Sequence, residues 1–316
     1  MSENKSVQRV LRIGTRSSPL ALWQAEHVRF MLLEHHAGLE VELVHISTIG
    51  DRDRNSPLAS VGGMGLFTKE IQRALQDRHV DIAVHSLKDL PTAQPEGLVL
   101  GAIPEREEVA DALISPKFKT VKNLPEGARV GTSSLRRKAQ LLHDRPDLVI
   151  EPVRGNVETR MNRALQGDMD AVILATAGLN RLGFAENITE ILGPPAFLPA
   201  VGQGALGVEC RADDAHVLAL LEPLTHGPTR ASVLAERHLL RLLEGGCMIP
   251  LSAWGRVNGS GKLELAGRVF TLDGSRMAEA EALGELSASE ELGKIVAGML
   301  LQRDAAAILR TNPTGG

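Results

Sequence analysis

A chain of 316 residues, 43% of them hydrophobic, is long enough for two or three separately cored domains, and a net charge of −4 offers no global basic field for nucleic acid or an anionic membrane surface. Two cysteines far apart in the sequence, Cys210 and Cys247, give no disulfide framework and no metal-ligand spacing, as expected of a reducing compartment. The polar stretch Met1 to Arg9 lacks the apolar core of a secretory signal and no run reaches the ~18 apolar residues of a membrane span, so the expectation is a soluble, cytoplasmic protein whose anion binding is local.

The chain opens with a short strand at residues 10–13, the loop Gly14-Thr-Arg-Ser-Ser-Pro19, and a helix carrying Leu20, Leu22, Trp23, Ala25, Val28 and Leu32. Ser18 suits a helix N-cap and Pro19 the first helical position, so unpaired N–H groups and the helix dipole face the loop, with Arg16 beside them. That is a local anion site. Residues 40–46 alternate as a second strand, and the polar, glycine-punctuated stretch that follows is long for a compact domain, which predicts a mobile lid at 51–66. A helix over 67–76 leads to an apolar strand at 82–84, whose carboxyl end crowds His85, Ser86, Lys88 and Asp89. Ligands bind at such strand ends in open α/β sheets.

The second half repeats the first. Ile13-Gly-Thr-Arg-Ser-Ser18 is echoed by Val130-Gly-Thr-Ser-Ser-Leu135, and the run from Arg73 to Val84 by the run from Arg163 to Ile173 with one gap. Two similar α/β lobes facing a shared cleft follow from that order. After Thr132, Ser133 and Ser134, the second lobe places Arg136 and Arg137 in a first helical turn, where cations oppose the helix dipole and ask for an anion. Arg154-Gly-Asn-Val-Glu-Thr-Arg160 repeats the arrangement around a Gly155-Asn156 turn, and Arg181 follows the strand 171–176 and its Ala-Gly turn. Guanidinium forks match carboxylates or phosphates.

Residues 198–204, Gln203 among them, read as a linker, and 205–210 as a strand returning to the first lobe with Cys210 in its core. Residues 223–229 separate a last domain: a helix at 230–243 stopped by Gly245-Gly246, strands at 251–257, 262–270 and 277–282, and a helix at 289–309. Cys247 stands on the loop after the first of these helices, where the helix C-terminus raises a thiol pKa and argues against an ordinary thiolate nucleophile. The expected domains are 1–104 plus 204–222 (first α/β lobe), 105–203 (second α/β lobe) and 223–316 (α+β).

Seven motifs in register now carry a resemblance. Thr15-Arg-Ser-Ser-Pro-Leu-Ala-Leu-Trp-Gln-Ala25, Gly65-Leu-Phe-Thr-Lys-Glu70, His85-Ser-Leu-Lys-Asp-Leu-Pro91, Gly131-Thr-Ser-Ser-Leu-Arg-Arg137, Arg154-Gly-Asn-Val-Glu-Thr-Arg160, Leu198-Pro-Ala-Val-Gly-Gln-Gly-Ala205 and Glu244-Gly-Gly-Cys247 resemble the porphobilinogen deaminase (hydroxymethylbilane synthase) family. The resemblance implies two periplasmic-binding-protein-like lobes with a third small α+β domain. It implies a dipyrromethane cofactor joined by a thioether to Cys247, onto which four porphobilinogen molecules are condensed head to tail with loss of ammonia, in tetrapyrrole and haem biosynthesis. Asp89 matches the catalytic aspartate.

Because each pyrrole carries an acetate and a propionate, the implied ligand suits Arg16, Arg136, Arg137, Arg154, Arg160 and Arg181, with Lys69 and Lys88 as further cations. Ser18, Ser86, Thr132, Ser133, Ser134, Gly155, Asn156 and Gln203 complete the implied binding set. No metal, nucleotide, nucleic acid or membrane partner is implied, and a monomer is expected. One position departs: the family commonly has lysine where this chain has Met64. The two lobes alone would also suit a receptor for a polycarboxylate, and Lys88 a pyridoxal-type aldimine. Cys247 and the third domain are what a receptor does not need, and no phosphate-binding pattern accompanies the lysine.

Overall fold

The computed structural model describes residues 10–48, 68–243 and 249–311. The first lobe is built from β1 (Leu11–Thr15), α1 (Pro19–His35), β2 (Val41–His45), α2 (Lys69–Gln76), β3 (Ile82–Ser86) and β4 (Leu98–Ala102), joined much later by β10 (Leu206–Arg211) and α6 (Ala215–Leu221). Its sheet runs β2-β1-β3-β10-β4, parallel except for β10, which lies antiparallel between β3 and β4. Ile82, Ala83 and Val84 are buried on both faces, as an apolar run in a covered parallel sheet requires. Helix α1 lays Ala25, Val28 and Leu32 on Leu11 and Ile13.

The second lobe contains β5 (Asp111–Ile114), β6 (Arg129–Gly131), α3 (Leu135–Asp144), β7 (Val149–Glu151), α4 (Val157–Leu165), β8 (Ala171–Ala175), α5 (Thr176–Arg181) and β9 (Glu190–Leu192). Its sheet order, β7-β6-β8-β5-β9, is the same design: two parallel pairings around the first strand, then an antiparallel fourth strand. In each lobe that fourth strand is delivered by the segment crossing from the other lobe. The crossings pack on each other where Gly204, at φ +84°, lies so close that a Cβ would fall 2.3 Å from the Glu107 carbonyl oxygen. Only glycine fits.

The C-terminal unit consists of α7 (Gly227–Leu242), the antiparallel sheet β11 (Leu251–Val257), β12 (Leu263–Phe270), β13 (Met277–Gly284), and the helices α8 (Ser289–Gln302) and α9 (Ala305–Thr311). Alternating residues of the strands, Leu251 and Ala253, Leu263 and Leu265, Ala278 and Ala280, meet Leu239, Val296 and Leu300 in one core. The two-lobed α/β architecture with a small antiparallel third unit is the one expected.

Three local expectations are corrected. Helix α7 starts at Gly227, inside the segment expected to separate domains, because Pro228 is accommodated in its first turn. The final helix breaks into two, since Asp304 adopts φ +70° after the C-cap at Arg303. Ala177 and Gly178 do not turn; they lie inside α5, which follows β8 without a loop. The lid expected at 51–66 with Met64, and the Gly245-Gly246 stop with Cys247, lie outside the described residues.

Candidate active site

Between the lobes lies a cavity of about 1170 Å³, larger than a drug-sized ligand requires. It collects ends of elements from both lobes, and the hydrophobic side chains Leu240, Ile249 and Leu251 reach it from the C-terminal unit.

On the first-lobe side, Ser18 caps α1, accepting from the Ala21 N–H at 3.4 Å, and Pro19 occupies the first turn, so Arg16 and Ser18 stand at the helix mouth and line the cavity. Strand β3 ends at Ser86, whose hydroxyl accepts from Gln24 Nε2 at 2.7 Å, and passes into a single 3₁₀ turn, Leu87–Asp89. Leu87 and Leu90 are buried, and the Leu87 N–H donates to the Ala205 carbonyl at 3.0 Å. Between these two anchors Asp89 is exposed and lines the cavity. Lys88 donates to Gln203 Oε1 at 3.3 Å; burial brings its pKa down to about 8, with Arg137 pushing the same way and Asp89 and Asp111 opposing. His85 points elsewhere: its Nε2 pairs with the buried Glu209 at 2.9 Å, a packed histidine and not a wall of the large cavity.

On the second-lobe side, several residues expected as ligand donors also build the site. Ser134 caps α3 through the Arg137 N–H, and Asn156 caps α4 through the Thr159 N–H at 2.8 Å, after Gly155 at φ +104°. The Ser133 hydroxyl ties β6 to β7 by donating to the Val153 carbonyl at 2.7 Å, and the Thr132 hydroxyl accepts from the Ser134 N–H. All of these line the cavity, as do Arg154, Arg160, Arg181 and Gln203. Lys69 does not; it opens α2 as an exposed residue.

Arg136 and Arg137 are buried, and the anion they ask for is partly internal. Asp111, fully buried at the start of β5, accepts from Arg137 Nη2 at 2.7 Å and Nε at 3.0 Å and pairs with Arg136 Nη2 at 2.7 Å. Desolvation alone would raise its pKa, but the two guanidiniums outweigh this and hold it at about 2. Gln203 Nε2 joins the same carboxylate at 2.9 Å, which links it to Lys88. At this floor two guanidiniums share one buried carboxylate, and Lys88 joins them through Gln203. The Nε atoms of Arg136 and Arg181 are buried without a hydrogen-bond partner among the described residues. Burial likewise lowers the pKa of Arg160, with Arg137 adding to it, and Asp89 works against both from across the cleft. The Arg160 Nε donates to the Gly155 carbonyl at 2.7 Å. Arg181 donates to the Gly204 carbonyl at 2.7 Å and stacks over Trp23 of the other lobe at 5.5 Å.

Asp111 is not among the residues that the sequence singles out. The available signal was an acid directly before the apolar run Ala112-Leu-Ile114, where a buried charge demands a partner. Cys210 is a core thiol as expected, its pKa pushed up to about 11 by burial. Among the described residues no cluster of histidine, cysteine and carboxylate side chains could hold a metal ion, and no helix is long and apolar enough to cross a membrane.

Residues 11–219 match the family model described as porphobilinogen deaminase, dipyrromethane cofactor binding domain, and residues 231–302 match that described as porphobilinogen deaminase, C-terminal domain. The chain belongs to the porphobilinogen deaminase family. Curated porphobilinogen deaminases from two strains of Acidithiobacillus ferrooxidans are each 52% identical to it over 299 residues, 95% of this chain and 97% of theirs. Among solved structures, the periplasmic substrate-binding protein of an ABC transporter from Coxiella burnetii aligns with 68% of this chain and 92% of its own at a TM-score of 0.44 and 17% identity. A nutrient-binding protein from Burkholderia cenocepacia, bound to methionine, aligns with 67% and 90% at a TM-score of 0.43 and 16% identity. In porphobilinogen deaminase terms, every arginine of the cavity, Asp89 and Asp111 fall within the matched cofactor-binding domain, and Leu240 and Leu251 within the C-terminal one.

Proposed function

We propose that this chain, working as a cytoplasmic monomer, condenses four porphobilinogen molecules head to tail, with loss of ammonia, on a dipyrromethane primer held by a thioether to Cys247, and releases hydroxymethylbilane. The observation that carries this reading is an exposed carboxylate, Asp89, held in the turn at the end of β3 in the same cavity as six arginines, in a chain of this family; the cavity's other exposed carboxylate, Glu158, lies on the first turn of α4 among the arginines. The residues suit a polycarboxylate. In the cavity the buried Nε atoms of Arg136 and Arg181 have no hydrogen-bond partner among the described residues, and at the floor Asp111 pairs with both Arg136 and Arg137, so the two guanidiniums there exceed the one carboxylate that they share. When bound, the primer supplies a nucleophilic pyrrole carbon and four carboxylate side chains for these cations.

Asp89 acts on the incoming substrate. As the amino group of porphobilinogen leaves, positive charge develops on its pyrrole, and a carboxylate beside the ring N–H favours that charge over the neutral ground state. At ~4 Å and an effective dielectric near ~20 such a pair contributes ~4 kcal/mol, about a thousandfold in rate. The arginines of the second lobe hold acetates and propionates, so the reacting ring is brought to Asp89 and not the reverse. Cys247 needs to react only once with a strongly electrophilic pyrrole, for which a depressed thiol pKa is unnecessary.

Intact mass of the purified protein tests the reading. An increment of two pyrrole units, lost in Cys247→Ser, together with porphobilinogen-dependent release of ammonia, is the expected result. An unmodified chain that binds polycarboxylates without turnover would identify a receptor instead.

A further inference from the structure

Helix α7 carries two buried charged residues in succession, Glu236 and Arg237, facing different partners. Glu236 is a junction: it accepts from Arg106 on one crossing segment at 2.7 Å and from the Gly202 N–H on the other at 2.7 Å. Arg237, only 6% exposed, reaches into the first lobe, where Nη1 donates to the Leu90 carbonyl at 3.0 Å and Nη2 to the Pro91 carbonyl at 2.6 Å. Those two carbonyls follow Asp89 directly. One turn earlier on the same face of α7, Val233 packs with Leu87 and Leu90 on either side of the aspartate.

A buried guanidinium is a costly brace for a turn. Burial brings Arg237 down to about 10, and the carboxylate that opposes this, Glu209, already pairs with His85 and accepts from Gln72. A neutral side chain would avoid the desolvation, but it could not span two successive carbonyls with a rigid fork. Leu240, one turn beyond Arg237, is itself a wall of the cavity.

We infer that Arg237 is a positioning residue for the condensation: by fixing the Leu90 and Pro91 carbonyls it sets where the Asp89 carboxylate stands, and it ties that carboxylate to the C-terminal unit. This rests on Asp89 being the catalytic carboxylate. The first lobe supplies the aspartate, but its placement is governed from α7. A displacement of the turn by about 1 Å is enough to cost up to about a hundredfold in rate.

The test uses the holoenzyme, with the attached primer verified by intact mass, in Arg237→Gln, Arg237→Lys, Asp89→Glu, Asp89→Asn and the double variant Arg237→Gln/Asp89→Glu. Arg237→Gln is expected to lower kcat by about 30- to 100-fold with KM within about threefold of the parent. Arg237→Lys, which keeps a cationic donor nitrogen but not the fork, is expected to recover to within about tenfold of the parent, and it carries the test if the glutamine variant fails to fold. In the Asp89→Glu background, where the carboxylate is already displaced, adding Arg237→Gln is expected to cost less than about threefold. An equal loss in both backgrounds, or a loss carried by KM alone, overturns the positioning role. Parent-like turnover in Arg237→Gln beside an inactive Asp89→Asn overturns it while leaving Asp89 in place; parent-like turnover in Asp89→Asn overturns the reading of Asp89 itself, and this inference with it.

Discussion

The two lobes are built on one plan and furnished with different charged side chains. In both, a strand runs into a loop and a serine-capped helix, Ser18 on α1 and Ser134 on α3, and in both an antiparallel strand from the crossing segments closes the parallel part of the sheet. In the first lobe β3 passes into a 3₁₀ turn that ends on Asp89, whereas the equivalent strand of the second, β8, runs straight into α5, which ends on Arg181. The first lobe keeps Arg16 ahead of its helix cap. The second puts Arg136 and Arg137 after the cap, inside the first turn, and supplies Asp111 beneath them. Topology therefore builds two equivalent rims, and the side chains at the rims decide that, in the proposed function, one carries the reacting carboxylate and the other the cation cradle.

The sharpest way to break that contrast is to neutralise the first lobe's contribution. Asp89→Asn is expected to lower kcat by about a thousandfold while the attached primer persists in the intact mass. Near-normal turnover there would mean that the carboxylate is not the reacting group. Next in size, Arg136→Leu and Arg137→Leu should each yield protein without the primer increment, because each removes a fork from the cradle and half of the compensation of Asp111. Primer loading at the parent level in both variants would show that the second lobe holds something else.

Asp111 permits a pH test of the same cluster. Its folded pKa of about 2 lies below the ordinary 3.8, so its contribution to stability is present above the unfolded value and is lost as pH falls through the folded one. That contribution is about 2 kcal/mol. Between about pH 4 and pH 2 the parent should lose stability more steeply than Asp111→Asn in denaturant titrations, and parallel curves would dissociate the acid from the arginines.

Lys88 brings the comparison to neutral pH. With its pKa near 8, it loses its charge as pH rises above that value, so if the proposed function uses that charge for substrate carboxylates, KM for porphobilinogen should climb on the alkaline side. Lys88→Arg should move that limb upward, and coincident profiles would assign it to another group. The smallest effect belongs to the contact between the lobes. Trp23→Leu removes the stacking on Arg181 and should lower the thermal midpoint by about 2–4 °C, equivalent to about 1 kcal/mol; an unchanged midpoint would show that the contact does not help to hold the lobes together.

Much of the architecture was readable because its signals are local. The cap at Ser18, the apolar run at Ile82 to Val84 and the strands β11 to β13 each depend on neighbours within a few residues. The split between α8 and α9 was not readable in that way. The apolar rhythm continues through Ala305 and Ile308, and nothing beside Asp304 announces its left-handed backbone. Residues at strand and helix ends were equally legible as candidates, since a cation in a first helical turn is conspicuous, although Lys69 met that description and stands outside the cavity.

What the sequence determined alone was the order of elements, the repeat that makes two lobes, and the set of charged ends, together with a family resemblance carried by motifs in register. The tertiary structure decided which charges meet. Arg136 and Arg137 find Asp111 some 25 residues away, and Arg237, on a helix face where cations are ordinary, is buried against a turn 146 residues distant. A buried charge is tolerable only where long-range folding brings its partners, so its role is written in the packing and not in its neighbours along the chain.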